Sequence, residues 1–489
     1  MTQFDNTLEE WEVLDLLTSL VDKSLVVYEE DEQGMGRYRL LETVRQYARG
    51  KLVDASQSEL VRQRHSDYFL GWSEASMPHL LEPEPKAWYV RFEAEHDNLR
   101  AALDWCLGEA ATTGTDETAL RFCASLGMFW WGRSYLSEGY HYFLAALTYD
   151  PTPQPTVWRA RSLSTAALCA QLLGDLQRAR SLQTEALAIA TKFGDKESIA
   201  SGYNRLGTIA LEECDFAAAR SALDQAISLD VQLRRYAEAS GSMAVLAIVS
   251  IRQGDIATAK AQADEAFRLA RTGSHVHVEA MAGMAMGYVR LYLEDHDAAR
   301  NSFEQALELL RANGVRAWEP WALEGLGRVA LSQREHERAR ADLNQAIELC
   351  RVSQHGAVVE VRCLTALAYV EIREQDYQRA RELLWEALRL LHRSGSKWEV
   401  ICALEAVVAV DVRVGHMTAA ARLSSAAQAQ RSHIGSTAVL TPPLDGDGDL
   451  ATIRAALDDA TFTATWQEGQ AMTLEQALEY ALKTCRSAG

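Results

Sequence analysis

An acidic residue recurs at a fixed interval through the middle of this chain: Asp175, Asp215, Asp255, Asp295, Glu335 and Asp376, with His416 in a seventh slot. The step is 40 residues, once 41. Four residues after each mark stands an alanine (Ala179, Ala219, Ala259, Ala299, Ala339, Ala380, Ala420), and eleven after it another (Ala186, Ala226, Ala266, Ala306, Ala346, Ala387, Ala427). Seven copies in register define a repeat array, in which each unit buries its apolar face against its neighbours.

The unit Ala317–Ser353 shows what repeats. AWEPWALEGLGRVALSQ is periodic as a helix, Arg334-Glu335 marks a tight turn, and HERARADLNQAIELCRVS is helix-periodic again, so the unit is a hairpin of helix A and helix B. Alanine at a helix contact lets two axes approach closely, while larger neighbours such as Leu343 and Ile347 fill the flanking grooves. A third small position lies twelve residues before the first alanine: Ala167, Gly207, Ala247, Gly287, Gly327 and Ala368, with Val408 in the seventh unit.

Small, alanine at plus 12 and alanine at plus 19 is a spacing that resembles the tetratricopeptide repeat, in all seven hairpins. The period is longer than that family's roughly 34 residues. The proline that commonly ends helix B is replaced by Thr191, Val231, Arg271, Arg311, Arg351 and His392. A longer helix B and a longer loop follow, as in the sensor of the bacterial maltose-regulon activator, which these repeats resemble. The fold class expected is all-α: a tetratricopeptide-like solenoid of helical hairpins with a concave inner face, preceded by a small partial winged helix that carries a β-hairpin.

Composition narrows the class. With 48% hydrophobic and 24% charged residues among 489, the chain is that of a folded protein. No apolar run reaches the roughly 18 residues of a membrane span, and MTQFDNTLEEWE is no signal peptide, so a cytoplasmic location is expected. Eight scattered cysteines (106, 123, 169, 214, 350, 363, 402, 485), with no C-x-x-C, read as buried free thiols. A net charge of −19 opposes nucleic-acid binding by the surface as a whole.

Residues 1–55 differ from the rest. LEEWEVLDLLTSLVDKSLV is an amphipathic helix running into a strand; SLVVYEE and GRYRL flank a turn at Asp31-Glu32-Gln33-Gly34; LLETVRQYARGKL is a second helix. LLTSLVDKSLVVYEE and RYRLLETVRQYARGKL resemble the winged-helix segment of bacterial STAND-type, NB-ARC-like ATPase regulators of the LuxR and SARP-like kinds. The likeness continues through RQRHSDYFLGWSEASMPHL, FEAEHDNLRAALDWCL and FWWGRSYLSEGYHYFLAAL, and resumes at ATFTATWQEGQAMTLEQALEYAL. The resemblance implies a nucleotide-binding domain before the winged helix. The chain is expected to start too late to hold one, and it contains no G-x-x-x-x-G-K-[ST] loop. Where plant and animal relatives carry a nucleotide-touching Met-His-Asp motif, this chain has Leu40-Leu41-Glu42. Arg37, Arg39, Arg45 and Arg49, with Lys51, form a local basic set. They read as a solvated face with contacts to a nucleotide-binding domain before they read as DNA contacts.

Residues 56–115 should be a helical adaptor and 116–150 a divergent hairpin dense in aromatics (Phe129, Trp130, Trp131, Tyr135, Tyr140, Tyr142, Phe143). These read as core, with a ligand-facing cluster as the alternative. His96-Asp97 reads as helix surface. The seven repeats occupy 156–435, a linker 436–448 and a helical cap 449–489. Asp445, Asp447 and Asp449 imitate the start of an EF-hand loop, but Leu450 and Ala456 stand where that loop needs glycine and glutamate. His275 and His277 lack further ligands at metal-site spacing. With no G-x-S-x-G, no H-E-x-x-H and no glycine-rich loop, no catalytic residue, metal or cofactor is expected.

Helix A lines the concave face of such arrays, and its large or unusual residues are Tyr203, Asn204, Met281, Met284, Met286, Trp318, Trp321 and Trp398. They are the candidates to hold a protein partner or a small-molecule inducer, against a plain reading as inter-repeat core. The function expected is a non-enzymatic sensor and interaction module of a STAND-like regulator, working with an NTPase domain in cis or in trans. A stand-alone scaffold is the alternative, and direct DNA binding is the weakest reading.

Overall fold

Two adjacent residues make the turn of each hairpin. The first closes helix A in the left-handed region: Gly174, Cys214, Gly254, Glu294, Arg334, Gln375 and Gly415 have φ of 92, 60, 84, 60, 62, 66 and 85°. The second is the acidic mark. Asp175, Asp215, Asp255, Asp295 and Asp376 each accept, through Oδ1, the backbone N–H three residues on, at 2.9–3.3 Å. The recurring aspartate is therefore the N-cap of helix B, satisfying a donor that the helix itself leaves orphaned. Glu335 instead receives Arg300 Nη2 at 2.7 Å.

The computed structural model describes residues 10–30, 36–108, 117–149, 155–273, 275–353, 356–394, 396–437 and 446–486. It opens with α1 (Glu10–Asp22), the strands β1 (Val26–Glu30) and β2 (Gly36–Leu40), and α2 (Glu42–Asp54). The strands pair antiparallel with Val26 opposite Leu40. The expected turn at 31–34 lies outside the described residues, as do most of the Pro-rich joint before the repeats and the linker at 438–445. The adaptor comprises α3 (Ser58–Ser76), a 3-10 turn (Met77–Leu81), α4 (Lys86–Ala94) and α5 (His96–Leu107); α6 (Thr118–Gly132) and α7 (Leu136–Tyr149) form the divergent hairpin.

Seven hairpins follow: α8 (Val157–Leu172) with α9 (Leu176–Phe193), α10 (Lys196–Glu212) with α11 (Phe216–Gln232), α12 (Tyr236–Gln253) with α13 (Ile256–Gly273), and α14 (Val276–Tyr292) with α15 (His296–Ala312). Then come α16 (Glu319–Ser332) with α17 (His336–Ser353), α18 (Ala357–Arg373) with α19 (Tyr377–Ser394), and α20 (Lys397–Val414) with α21 (Met417–His433). The last helices, α22 (Gly446–Ala456), α23 (Asp459–Gln470) and α24 (Leu474–Arg486), pack on α19, α20 and α21. Gly469 lies against the backbone carbonyl of Arg422, where a side chain would collide.

All fourteen repeat alanines are buried. The third small position faces the partner helix: a Cβ added at Gly207 or Gly327 would sit 2.7 or 2.5 Å from Cγ of Leu223 or Leu343. Gly327→Ala is therefore expected to destabilise by about 1–2 kcal/mol, overpacking outweighing the helix propensity gained. Gly50→Ala, in α2 with no atom within 4 Å of the added Cβ, is expected to stabilise by about 0.5 kcal/mol. Urea unfolding of both variants separates packing from propensity.

His96 does not lie on the helix surface as the sequence suggested. It is buried, with Nε2 2.6 Å from Glu138 Oε1, because α5 packs its first turn against α7. Glu138 also takes Arg100, and although burial pushes its carboxyl up, His96 and Arg100 hold it down at about 2. Seven of the eight cysteines are buried and Cys485 is half-buried; all are free thiols.

Asp230 makes stability depend on pH. Burial pushes its carboxyl up to about 7; Arg235 at 3.1 Å pulls down, and Glu238 and Glu197 push up. The folded pKa is raised, so the native state keeps a proton that the unfolded chain has released. Stability is expected to fall as pH rises from about 4 to 7. Asp230→Asn should flatten that slope and gain about 1–2 kcal/mol on its alkaline side, read from urea midpoints across pH.

Candidate ligand cavity and winged-helix face

The repeats wind into a superhelix that closes on itself. Arg133 Nη1 donates to Gly314 O at 3.2 Å across 181 residues, and Arg316 N donates to Gly132 O at 2.9 Å. Further along, Ser436 Oγ donates to Arg252 O at 2.6 Å across 184 residues, and Thr437 Oγ1 to Gln253 O at 2.8 Å. Both spans correspond to about four and a half 40-residue units per turn. Apolar packing seals the same seams: Trp131 meets Trp318 and His277 at ring separations of 6.3 and 5.2 Å, and Trp398 and Cys402 share a core with Leu211 and Leu246.

Inside this turn lies a cavity of about 250 Å³, lined by residues from Trp131 to Cys402, chiefly of the A helices α10, α12, α14, α16, α18 and α20. Met281 and Met284 of α14, Trp318 and Trp321 at the head of α16, and Trp398 of α20 line it. Tyr203 and Asn204 are not among the lining residues; Asn204 Nδ2 donates to Ser242 Oγ at 2.8 Å, joining α10 to α12. Met286 is buried away from the lining. Of the aromatics on α6 and α7, Trp131 reaches the cavity while Phe129, Trp130 and Phe143 are core.

The wall carries charge that the sequence reading did not pick out. Glu324 of α16, just behind the lining residues Tyr288, Arg328 and Arg362, is 0% exposed. It receives Arg362 Nε and Nη2, both at 3.0 Å, Arg328 Nη1 at 3.3 Å and the Tyr288 hydroxyl at 2.6 Å. Arg362 stacks 5.2 Å from the ring centres of Tyr288 and Trp321. Burial opposes the Glu324 charge, but Arg362, Arg328 and the Tyr288 hydroxyl outweigh it and hold the carboxyl below its usual range. Arg252 donates through Nη1 to Leu211 O at 3.1 Å and lies over Trp398.

These residues follow a diagonal. Glu212, Arg252, Tyr288, Glu324, Arg362 and Glu399 stand 3, 3, 7, 11, 14 and 17 residues before the mark of their unit. As the array winds, the inner surface crosses each successive helix A nearer its N-terminus. Looking for polar residues that break the repeat along that diagonal would have found them.

Other expected features fall elsewhere. His275 and His277 stack at 5.9 Å, and burial with the neighbouring His275 lowers His277 to about 4. Among the described residues no group of three or more His, Cys, Asp or Glu could hold a metal. Asp445 lies outside the described residues, and Asp449 accepts Arg413 Nη1 at 2.9 Å.

The winged-helix arginines are spread among acidic partners: Arg37 pairs with Glu95 of the adaptor at 3.0 Å, Arg39 with Glu29 at 3.2 Å, and Arg45 with Glu42. Arg49 is exposed on α2. Beside them is uncovered apolar surface: Leu14, Leu16, Leu40, Leu41, Val53 and Tyr47, the last 68% exposed.

The comparisons agree with this architecture. A winged helix-turn-helix domain model matches residues 5–53, and a tetratricopeptide repeat model matches 158–230 and 278–352. Proteins of Mycobacterium bovis and Mycobacterium tuberculosis, provisionally named HTH-type transcriptional regulators, are 37% identical over 214 residues. The match takes in 40% of this chain and 23% of each relative, so it spans about a quarter of their length. The crystal structure of a Rap protein complexed with Competence and Sporulation Factor superposes with a TM-score of 0.54 at 11% identity, over 76% of this chain and 99% of that one. A STAND protein with a tetratricopeptide repeat sensor from Pyrococcus horikoshii gives a TM-score of 0.38 at 15% identity, over 76% and 57%. The chain thus carries a winged helix-turn-helix region followed by a tetratricopeptide-like solenoid, an architecture suited to protein interaction. Among the described residues no helix is long and apolar enough to cross a membrane.

Proposed function

We propose that this chain is the non-enzymatic sensing and partner-binding part of a STAND-like transcriptional regulator. An inducer or a segment of a partner occupies the inner cavity. Its contacts with the seams between superhelical turns shift the array, and the adaptor passes the change to the winged helix. The winged helix then biases an NTPase domain, in cis or in trans. The observation that carries this reading is the cavity itself: six successive A helices converge on one volume whose wall holds both aromatic area and unmet polar groups.

Three findings support it. The mycobacterial relatives are provisionally named as regulators. The Rap neighbour of the same fold is described in complex with Competence and Sporulation Factor. The uncovered apolar residues of α1, β2 and α2 suit a docked domain better than a DNA backbone, which would require unpaired cationic groups.

Native mass spectrometry of the chain purified gently from its own cells tests the reading. The wild type is expected to carry an adduct released on denaturation. Val245→Trp, which adds bulk at a half-buried cavity position, is expected to lose the adduct while melting within a few degrees of the wild type. A wild-type chain without adduct, whose melting is also indifferent to a broad metabolite set, would remove the sensor reading.

A further inference from the structure

The residues Ser396-Lys397-Trp398-Glu399 at the start of α20 have the S-x-x-E pattern of a capping box, in which serine and glutamate bond reciprocally to the backbone of the first turn. The chain closes such a box at α24: Gln476 N donates to Thr473 Oγ1 at 3.2 Å, and Thr473 N donates to Gln476 Oε1 at 2.9 Å. At α20 the box stays open. Ser396 occupies the N-cap position with an extended backbone, yet its side chain caps nothing. It is 1% exposed, and its hydroxyl has no partner among the described residues. Glu399 is 4% exposed, its Oε1 accepts no hydrogen bond among the described residues, and Arg252 Nη2 stands off at 3.7 Å. Both residues line the cavity.

A buried hydroxyl and a buried carboxylate oxygen left unmet both cost stability, although a bond to the helix backbone lies within one turn. Burial pushes the Glu399 carboxyl up against the pull of Arg362 and Arg252. The helix thus forgoes local capping and turns one hydroxyl and one strong acceptor toward the cavity. Charge on the wall does not call for an ion. Arg252, Arg328 and Arg362 are matched by Glu212 and Glu399 on the same wall and by Glu324 directly behind it. A net charge brought into this balanced setting would lose its water without gaining a counter-charge. The rest of the wall is largely apolar and aromatic: Val245, Ile248, Met281, Met284, Trp318 and Trp321. Two more buried groups on it, the Thr365 hydroxyl and Trp318 Nε1, lack a partner among the described residues.

Resting on the reading of this cavity as a ligand site, we infer that its ligand is an uncharged carboxamide with an apolar body, seated on the open capping box of α20. The amide carbonyl accepts from the Ser396 hydroxyl at the helix N-terminus, and the amide N–H donates to Glu399 Oε1. The apolar body lies against the α12 and α14 side chains. A carboxamide carries an acceptor and a donor side by side without a charge, and the N-cap and N3 side chains present their complements on one helical turn. The same chemistry is offered by a small amide and by the backbone of a short apolar peptide, whose further amides would answer Thr365 and Trp318.

Isothermal titration calorimetry on the full chain with matched probes decides it. 3-Phenylpropanamide, 3-phenylpropanoate and 3-phenylpropylammonium share an apolar body and differ in charge; N,N-dimethyl-3-phenylpropanamide keeps the carbonyl and loses the donor. The primary amide is expected to bind at least about tenfold tighter than either ion, and about tenfold tighter than its dimethyl form. Ser396→Ala should weaken the primary amide about fivefold. Glu399→Gln should shrink the advantage of the primary amide over its dimethyl form and strengthen the propanoate, because the wall then carries a net positive charge. An Ala-Phe dipeptide acetylated at one end and amidated at the other separates the two sources: tighter binding than 3-phenylpropanamide assigns a peptide, weaker binding a small molecule. An ion or the dimethyl amide binding as tightly as the primary amide overturns the carboxamide assignment and leaves the cavity reading standing. Binding of none of the probes overturns the carboxamide assignment, and the native mass spectrum then decides the cavity reading separately. The ranking of probes on the wild type does not depend on how the variants fold.

Discussion

Replacing Glu324 by alanine is expected to cost about 3–5 kcal/mol, among the largest single effects in the chain. The residue is fully buried, and three groups are aimed at it from three helices: Arg362 of α18, Arg328 of α16 and Tyr288 of α14. Removing the carboxylate leaves two guanidiniums with no counter-charge in a wall that water reaches poorly. Much of the loss is that penalty, so the triple variant Glu324→Met, Arg328→Met, Arg362→Met should recover most of the stability. Urea unfolding of both measures this, and a triple variant no more stable than the single one would mean the network itself supplies the energy. The Glu324 carboxyl is held below its usual range, so its stabilisation is present at neutral pH and is lost as pH falls through that depressed value. In Glu324→Gln this acid-side loss should be absent.

Phe303→Ala is expected to cost a comparable 3–5 kcal/mol. The ring is fully buried on α15 and meets Tyr288 edge-on at 5.0 Å. It occupies the space above two glycines: a Cβ at Gly287 would lie 2.8 Å from the ring, and one at Gly325 would overlap it. Those glycines exist so that α14 and α16 can both close on one phenylalanine. Gly287→Ala should therefore be destabilising alone and close to neutral in the Phe303→Ala background. A double-mutant cycle in urea reads the coupling, and additive costs would show that the ring and the glycine do not share the contact. Because Tyr288 packs on Phe303 and donates to Glu324, the same cycle reports how the hairpin core supports the cavity wall.

The two effects belong to different layers of the design. Phe303 lies between helix A and helix B, where the repeat is regular. Glu324 lies directly behind the inner wall, held by its lining residues Tyr288, Arg328 and Arg362, where regularity stops and residues that occur once per chain are set side by side.

The sequence alone determined the hairpin. Asp175, Asp215, Asp255, Asp295 and Asp376 cap helix B through bonds spanning three residues, and such local bonds leave a trace at fixed spacing. The alanines and glycines left theirs because each unit repeats one packing problem. Met281, Met284, Trp318, Trp321 and Trp398 could be named from the face they occupy. Their sharing of one cavity, and the absence of Tyr203 and Asn204 from it, could not. Only the tertiary structure decided the seams at Arg133–Gly314 and Ser436–Arg252 and the burial of His96 beside Glu138. Those contacts join residues 42 to 184 apart, and they depend on the small rotation between successive hairpins. A rotation summed over several units brings distant walls together, and no local spacing in the chain records it.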